Sequence, residues 1–266
     1  MSHAARNWSD LGPRIVTGIV LALIGAAGLW LGGGWFLWLL AVACAAMIWE
    51  LALMLSPAQR NLALLLGALG GVSIVFDILH PDSGPGAVLA LAIVPAIGAL
   101  ALLRGRWIML AYGSTILVAG AAMYLIREDL GLAWMLWLVL IVVASDIAGY
   151  FVGRIVGGAR FWPRVSPKKT WSGTVAGWIA AAVLGLWFAG PTELGRLAIP
   201  ASVLLAFAAQ MGDIAESAIK RKMAVKDSSD LLPGHGGVLD RFDGMIGAAL
   251  ALVAILALAN RFLGLS

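Results

Sequence analysis

The sequence predicts an all-α integral membrane protein with about nine transmembrane helices. Of its 266 residues, 62% are hydrophobic and only 12% are charged, whereas soluble domains are about half apolar and a quarter charged. The mean hydropathy is +0.97, and the apolar residues form runs long enough to cross a bilayer, for which a helix needs roughly 20 residues. This composition leaves no room for a large soluble domain.

The apolar runs can be followed in order along the chain. The first run, 15–49, has no charged residue and is interrupted by three glycines at 32–34, which predicts two helices joined by a tight turn. Asp77 shortens the third predicted helix, and Pro95 is expected to kink the fourth, which membrane helices tolerate. The helices predicted after the first pair cover about 62–79, 86–103, 107–126, 131–153, 171–190, 198–220 and 244–262.

The basic residues support this number of helices. With nine spans, all 18 lysines and arginines except Arg127, Arg196 and Arg261 lie on one side of the membrane. Cytoplasmic loops carry an excess of Lys and Arg, so the basic side is predicted to face the cytoplasm, where it suits anionic lipid head groups and phosphates. Nucleic acid is a poor candidate partner, because the basic residues cluster at helix ends and not in a soluble module.

The unusual polar residues are concentrated in the second half of the chain. We therefore expect residues 1–130 to form a helical scaffold with a possible dimer interface, and residues 131–266 to form the region that carries the site. Glu50, near the cytoplasmic end of the second helix, is the one unexpected charge in the first region. We interpret it as part of the scaffold.

The loop after the sixth predicted helix, residues 153–173, contains basic residues and no acid. Lys168 and Lys169, flanked by Ser166 and Thr170, directly precede the next helix. Helix N-termini favour anions, and lysine binds phosphate as a mobile point charge. We interpret the two lysines as a phosphate site, whereas the arginines of this loop are also explained by membrane topology alone.

Carboxylates occur inside the apolar spans, where each costs roughly 2.5–3.5 kcal/mol near the membrane centre. Asp213, Ser217 and Lys220 have the spacing i, i+4, i+7 and share one helix face, with Glu216 one position away. Such acids are expected to face a wet cavity or a cation, and the alternative is an ion pair with a neighbouring basic residue. For Asp146, in the sixth span, structural pairing and a site role are equally open.

The segment 226–244 is charged and glycine-rich between two apolar runs. Gly236 and Gly237 allow backbone N–H groups to approach a ligand closely. Asp240 and Asp243 follow with i, i+3 spacing where the ninth helix opens. Magnesium prefers one or two carboxylates together with substrate oxygens, so acids beside phosphate-binding residues predict a magnesium-dependent site.

Residues 217–243, SAIKRKMAVKDSSDLLPGHGGVLDRFD, resemble the signature of the phosphatidate cytidylyltransferases, or CDP-diacylglycerol synthases. The matching elements are Ser217, Lys220-Arg221, Lys226-Asp227, His235-Gly236-Gly237 and Asp240-Arg241-Phe242-Asp243. SPKKTWSG from Ser166 and SDIAGYFVGRIVGG from Ser145 resemble upstream elements of the family. The sequence departs from the family pattern at Gly244, where Ser is common, and at Ser172, where Glu is common. Before about residue 130 the resemblance rests on hydropathy alone.

The resemblance implies that CTP and phosphatidic acid react to give CDP-diacylglycerol and pyrophosphate in phospholipid biosynthesis. It implies magnesium as the cofactor, with potassium as a candidate second cation. It further implies a helical bundle whose last four spans carry an active site at the cytoplasmic membrane face, a homodimer, and a location in the bacterial inner membrane.

The resemblance also implies roles for individual residues. The catalytic residues are expected to be Asp213, Asp240, Lys220, Arg221 and Asp243. The metal ligands are expected to be Asp213 and Asp240 first, supported by Glu216, Asp227, Asp243 and Asp146. The substrate-binding residues are expected to be Ser166, Lys168, Lys169, Thr170, Ser217, Lys226, His235, Gly236, Gly237 and Arg241, where His235 either orients a phosphate or shapes its loop.

Two other functions remain open from the residues. A CTP-dependent lipid kinase of the polyprenol or phytol type would use the same nucleotide but transfer its γ-phosphoryl group. A cation transporter would also place acids within spans. The acids here cluster with basic residues at one membrane face, and no series of polar residues crosses to the other side, which disfavours the transporter.

Overall fold

The computed structural model describes residues 11–80, 85–232 and 234–263, and in these residues it has nine α-helices and one two-stranded sheet. The elements are α1 (Leu11–Leu31), α2 (Gly33–Leu55), α3 (Arg60–Leu79), α4 (Pro85–Ala101), α5 (Arg106–Leu125), α6 (Leu132–Val156), β1 (Arg160–Trp162), β2 (Ser166–Thr170), α7 (Trp171–Phe188), α8 (Ala198–Lys222) and α9 (Leu239–Leu263). The basic residue Arg6 lies outside the described residues, as does the side chain of Arg14.

Most of these helices are suited to a bilayer. Within the described part of the chain, seven are long and apolar enough to cross a membrane, whereas the apolar stretches of α1 and α4 are shorter, at Val16–Leu31 and Leu89–Ala101. The chain is therefore an all-α membrane protein in its main architecture. The nine predicted helices all exist, with Pro95 inside α4 as expected, but nine membrane crossings stay a prediction.

The prediction of helices alone missed a short β-hairpin between α6 and α7. Strands β1 and β2 pair antiparallel, with Arg160 opposite Thr170 and Trp162 opposite Ser166. The backbone N–H of Trp171 donates to the carbonyl of Ala159 (2.9 Å), which closes the hairpin base where α7 begins. The strands have only three and five residues, RFW and SPKKT, which is too short to show the apolar alternation that identifies a strand from sequence.

The interhelical turns lie at two ends of the bundle, in agreement with the predicted alternation. At one end, Gln59 in the α2–α3 turn donates to the carbonyl of Ala101 (3.1 Å) and accepts from the N–H of Leu103 (3.0 Å), which ties it to the α4–α5 turn. At the other end, Arg127 donates to the carbonyl of Leu29 (2.7 Å) and so holds the α1–α2 turn.

Helices α8 and α9 pack backbone against backbone. A Cβ atom on Gly212 would collide with the backbone carbonyl of Asp243, and one on Gly247 would collide with that of Ala208. The missing side chains let the two helices approach closely. This contact places Asp213, the next residue of α8, beside Asp243 of α9.

Candidate active site

A polar cavity of about 750 Å³ opens where the hairpin meets the ends of α6, α7, α8 and α9. Its lining contains acids and bases in nearly equal number, among otherwise apolar helices. The ionisable lining residues are Asp146, Arg154, Arg160, Lys168, Lys169, Asp213, Lys220, Asp227, Asp240, Arg241 and Asp243. The cavity thus brings together the two polar regions that the sequence singled out.

The hairpin delivers two lysines to this cavity. Strand β2 places Lys168 and Lys169 in the lining, and the Nζ atom of Lys169 lies 2.5 Å from the Oδ2 atom of Asp213 on α8. The next residue, Thr170, caps α7 by accepting a hydrogen bond from the N–H of Gly173 (3.2 Å). The expected proximity of the basic loop and the acids is therefore present in the structure.

The polar face of α8 continues from Asp213 toward the helix end. The hydroxyl of Ser217 donates to Asp213 (3.2 Å), as the i, i+4 spacing predicts. Lys220 pairs with Glu216 one turn earlier and with Asp240 of α9, whose Oδ1 atom is 2.6 Å away. The ion pair that was the alternative for Glu216 is thus formed, and the fully buried Glu216 does not line the cavity.

Asp240 accepts hydrogen bonds from four donors. Lys220 binds Oδ1 (2.6 Å), while Oδ2 accepts from the N–H of Ser228 (2.9 Å), the hydroxyl of Ser228 (2.9 Å) and the N–H of Gly237 (2.7 Å). Gly236 has a φ of +78°, and a Cβ atom on it would lie 2.6 Å from Oδ2 of Asp240. The glycine loop therefore closes around this carboxylate, whereas the sequence suggested a cradle for a ligand phosphate.

Glu50 is the residue whose role the sequence analysis underestimated. It is fully buried, and its carboxylate accepts from the N–H of Val238 (2.9 Å) and the N–H of Leu239 (2.7 Å) at the start of α9. The hydroxyls of Ser229 (2.6 Å) and Ser228 (3.3 Å) complete its partners. A carboxylate at a helix N-terminus is favourable, so Glu50 fixes the beginning of α9, where Asp240 follows.

The hydroxyl of Ser228 lies between two carboxylates. It is 2.9 Å from Oδ2 of Asp240 and 3.3 Å from Oε2 of Glu50. The network of Glu50, Ser228 and Asp240 therefore joins α2 to the loop before α9. A scaffold residue from the first half of the chain thus contributes directly to the geometry of the second half.

Several of the predicted site residues lie outside the cavity lining. Arg241 lines the cavity and donates to the backbone carbonyl of His235 through Nε (3.0 Å), but the His235 ring packs near Gly18 of α1. The other predicted residues that do not line it are Ser166, Glu216, Ser217, Arg221, Lys226, Gly236 and Gly237. Their predicted catalytic, metal-binding and substrate-binding roles stay predictions.

The acids of the cavity suit a magnesium ion shared with a substrate. Asp243 lies within electrostatic range of Asp213 and Asp146, and Asp146 makes no hydrogen bond or ion pair within the described residues. In the same part of the chain, no three His, Cys, Asp or Glu residues are arranged to hold a metal by themselves. Magnesium is usually bound by one or two carboxylates and substrate phosphates, which this donor set can provide.

Gln210 was not identified from the sequence, and it forms part of the cavity wall. Its Oε1 atom accepts from the indole N–H of Trp178 (3.0 Å), and its Nε2 atom donates to the carbonyl of Thr174 (3.3 Å). Gln210 therefore links α8 to α7 about one helical turn before Asp213. An amide inside an apolar span was the signal that could have identified it.

Comparison with known proteins places the whole described bundle in one family. The model of the cytidylyltransferase family matches residues 12–259. A phosphatidate cytidylyltransferase of Brucella suis biovar 1 is 36% identical over 261 residues, which is 92% of each chain. The enzyme of the same name from Pseudomonas aeruginosa is 34% identical over 91% of this chain and 96% of its own. The Helicobacter pylori protein of that name is 44% identical over 138 residues, which is 51% of each chain.

Proposed function

The chain belongs to the cytidylyltransferase family, and we propose that it transfers the cytidylyl group of CTP to phosphatidic acid. The products are CDP-diacylglycerol and pyrophosphate. The relatives that cover most of the chain are named phosphatidate cytidylyltransferase. The family match favours this reaction over a lipid kinase and over a cation transporter.

The observation that carries the proposal is the composition of the polar cavity. Several cations and five carboxylates, some paired with each other and some without an ionic partner among the described residues, line one space at the end of a membrane bundle. A nucleoside triphosphate needs the cations, and the metal ion that accompanies it needs the carboxylates. The lipid substrate needs access from the bilayer, which a site in the middle of a soluble domain would not offer.

Access from the lipid is provided beside α6. Gly149, Tyr150 and Gly153 of this helix line the cavity, and the neighbouring Phe151 and Ile155 expose 57% and 79% of their surface. Large apolar side chains so exposed at a membrane helix are suited to contact with acyl chains. We infer that phosphatidic acid reaches the cavity along this side of α6.

The reaction requires one displacement at phosphorus. An oxygen of the lipid phosphate attacks the α-phosphorus of CTP, a new P–O bond forms, and the bond to the β-phosphate oxygen breaks with release of pyrophosphate. No covalent intermediate on the protein is needed, so catalysis consists of in-line positioning and charge stabilisation. The electron pair leaves with the pyrophosphate.

Four of the six bases that line the cavity fall into two groups with different tasks. Lys168 and Arg160 have no carboxylate partner within the described residues, so they are free to bind triphosphate or lipid phosphate oxygens. Lys169 and Lys220 are paired with Asp213 and Asp240. The paired lysines hold the acids in position and keep the net charge of the site low before substrate binds.

We propose that Asp213 and Asp243, with Asp146 nearby, hold magnesium together with substrate oxygens. When bound, the ion neutralises charge on the transferring and leaving phosphates. Asp240 is proposed as a further ligand. Its oxygens already accept hydrogen bonds from Lys220, Ser228 and Gly237, so it would have to exchange some of these contacts for the ion. Potassium as a second cation, the homodimer through residues 1–130, and a cytoplasmic site in the bacterial inner membrane are likewise proposed on the resemblance.

The position of the radiolabel in CTP distinguishes the candidate reactions. Purified protein is incubated with phosphatidic acid, magnesium and CTP that is labelled either at the α-phosphate or at the γ-phosphate. Cytidylyl transfer moves only the α-label into the lipid phase and releases the γ-label as pyrophosphate. In a parallel incubation with a polyprenol or phytol in place of phosphatidic acid, a kinase would move only the γ-label into lipid. Ion flux in proteoliposomes without CTP would indicate a transporter.

A further inference from the structure

A second cavity, of about 790 Å³, lies at the same end of the bundle and has no lining residue in common with the first. It is formed by the end of α4, the start of α5 and the last residues of α8. Most of its wall is apolar, and its polar part consists of Arg104, Arg106 and Lys222. The Gln59 hydrogen bonds described above fix the α4–α5 turn that supplies the two arginines.

The charge of this second cavity is uncompensated. The lining contains three cations and no acid, and none of the three forms an ion pair with a described residue. Arg106 stacks over the ring of Trp107, with its guanidinium carbon 5.6 Å from the ring centroid. The membrane rule for basic loops explains cations at this end, but it does not explain why they converge on an apolar hollow.

The apolar wall faces outward from the bundle. Leu100 exposes 89% of its surface, Leu103 exposes 76%, and Trp107 exposes 70%. Tryptophan is enriched at the membrane–water interface, where its polar N–H and apolar ring are both accommodated. The second cavity therefore combines an interfacial position, a hydrocarbon-like wall and a cationic end.

We propose that the second cavity binds one anionic glycerophospholipid from the bilayer. Its phosphate contacts Arg104, Arg106 and Lys222, and an acyl chain lies along Leu100 and Leu103. Basic pockets between membrane helices bind anionic head groups in this way. The inference is independent of the proposed reaction, because none of these residues lines the first cavity.

The position of the lipid has a structural consequence for the active site. Lys222 is two residues beyond Lys220, which pairs with Asp240 in the first cavity. A lipid phosphate on Lys222 would restrain the last turn of α8 on the side of the second cavity. The ion pair of Lys220 with Asp240 restrains the same turn on the side of the first cavity. The lipid is thus an accessory component of the fold at the end of the helix that carries Asp213.

Lipid binding by delipidated protein tests the proposal directly. The full chain is purified in detergent, phosphatidylglycerol is added in steps, and bound lipid is counted by native mass spectrometry, with zwitterionic phosphatidylcholine as the comparison. The wild type is expected to retain phosphatidylglycerol at least tenfold more tightly than phosphatidylcholine. The Arg104→Gln/Arg106→Gln variant is expected to lose about tenfold or more in affinity, because each basic residue near an anionic lipid contributes roughly fivefold.

Two further variants separate this cavity from general surface charge. Arg164→Gln/Arg196→Gln removes the same charge from exposed arginines outside both cavities and should change the affinity by less than twofold. Ala99→Phe fills part of the wall without changing charge and should weaken binding at least fivefold. If that variant does not fold, Leu100→Gln replaces it, since this exposed side chain alters only wall polarity.

The proposal is overturned if the two double variants lose affinity equally, since the effect would then be one of net charge. It is also overturned if the wall variant binds as the wild type does, or if phosphatidylcholine binds as tightly as phosphatidylglycerol. Retention of a protein or peptide in place of lipid would equally exclude it.

Discussion

Replacing Glu50 by glutamine should disable the enzyme, although Glu50 does not line the cavity. The carboxylate is fully buried and receives hydrogen bonds from the N–H groups of Val238 and Leu239 and from the hydroxyl of Ser229. Glutamine keeps the shape of the side chain and one acceptor oxygen. It replaces the other oxygen with an NH₂ group, which cannot accept the hydrogen bond that this oxygen receives in the wild type.

The size of the effect follows from these contacts. At least one buried backbone N–H at the start of α9 loses its acceptor, which costs about 1–3 kcal/mol. The negative charge at the helix N-terminus is lost as well, which costs up to about 2 kcal/mol in a partly buried site. Together these contributions amount to about 1–5 kcal/mol, and a loss of 2 kcal/mol corresponds to roughly a 30-fold change in an equilibrium.

Two measurements report on this change. Hydrogen exchange at the amides of Val238 and Leu239 should accelerate about 30-fold or more, because local opening becomes easier. The value of kcat/KM for CTP should fall at least tenfold, because the loop no longer positions Asp240. Ser229→Ala, which removes one donor and leaves the charge in place, should show the same changes to a smaller extent.

Glu128→Gln is the matched control. Glu128 also accepts a backbone N–H at a helix start, that of Gly33 (2.8 Å), but it lies near the α1–α2 turn and not at the cavity. This variant should alter exchange only near that turn and leave activity within twofold. If Glu50→Gln keeps both wild-type activity and slow exchange at Val238 and Leu239, the positioning role of Glu50 is wrong.

Three further outcomes are expected. Asp213→Asn and Asp240→Asn should each reduce turnover more than tenfold while the protein still folds, as thermal unfolding would show; a variant that keeps a tenth of the activity removes that residue from the proposed ligand set. Lys168→Ala should lower kcat/KM for CTP about ten- to a hundredfold, since a charge-assisted phosphate contact contributes roughly 1.5–3 kcal/mol. Lys169→Ala should also lower it, through loss of the contact with Asp213. Arg196→Ala, exposed and outside the cavity, should change it less than twofold, and an equal loss there would make the lysine effects nonspecific.

The helices were predictable because burial in a membrane requires long apolar runs. Interruptions such as the glycines at 32–34 and the basic turns marked their ends within a few residues. An informative difference is at α9, which begins at Leu239, five residues before the predicted apolar run. Its first turn is polar, and it is held by Glu50 from α2, so local hydropathy could not identify it.

The parts of the site that join distant segments were harder to predict. The proximity of Lys169 to Asp213 followed from counting spans, because both fall on the same end of the bundle. The partners of Glu50 lie about 180 residues away and are backbone groups or serines, which no residue pattern marks. For the same reason Gly237 suggested a ligand phosphate, when its N–H in fact binds Asp240.

The location of bound CTP is the most direct test of the proposed active site. A crystal structure of the protein with magnesium and a CTP analogue that has a methylene bridge between the α- and β-phosphates would show it, because this analogue cannot release pyrophosphate. We expect the triphosphate in the first cavity, beside Lys168 and Arg160, with the metal on Asp213 and Asp243. A triphosphate bound elsewhere, for example at Arg104 and Arg106 in the second cavity, would contradict it.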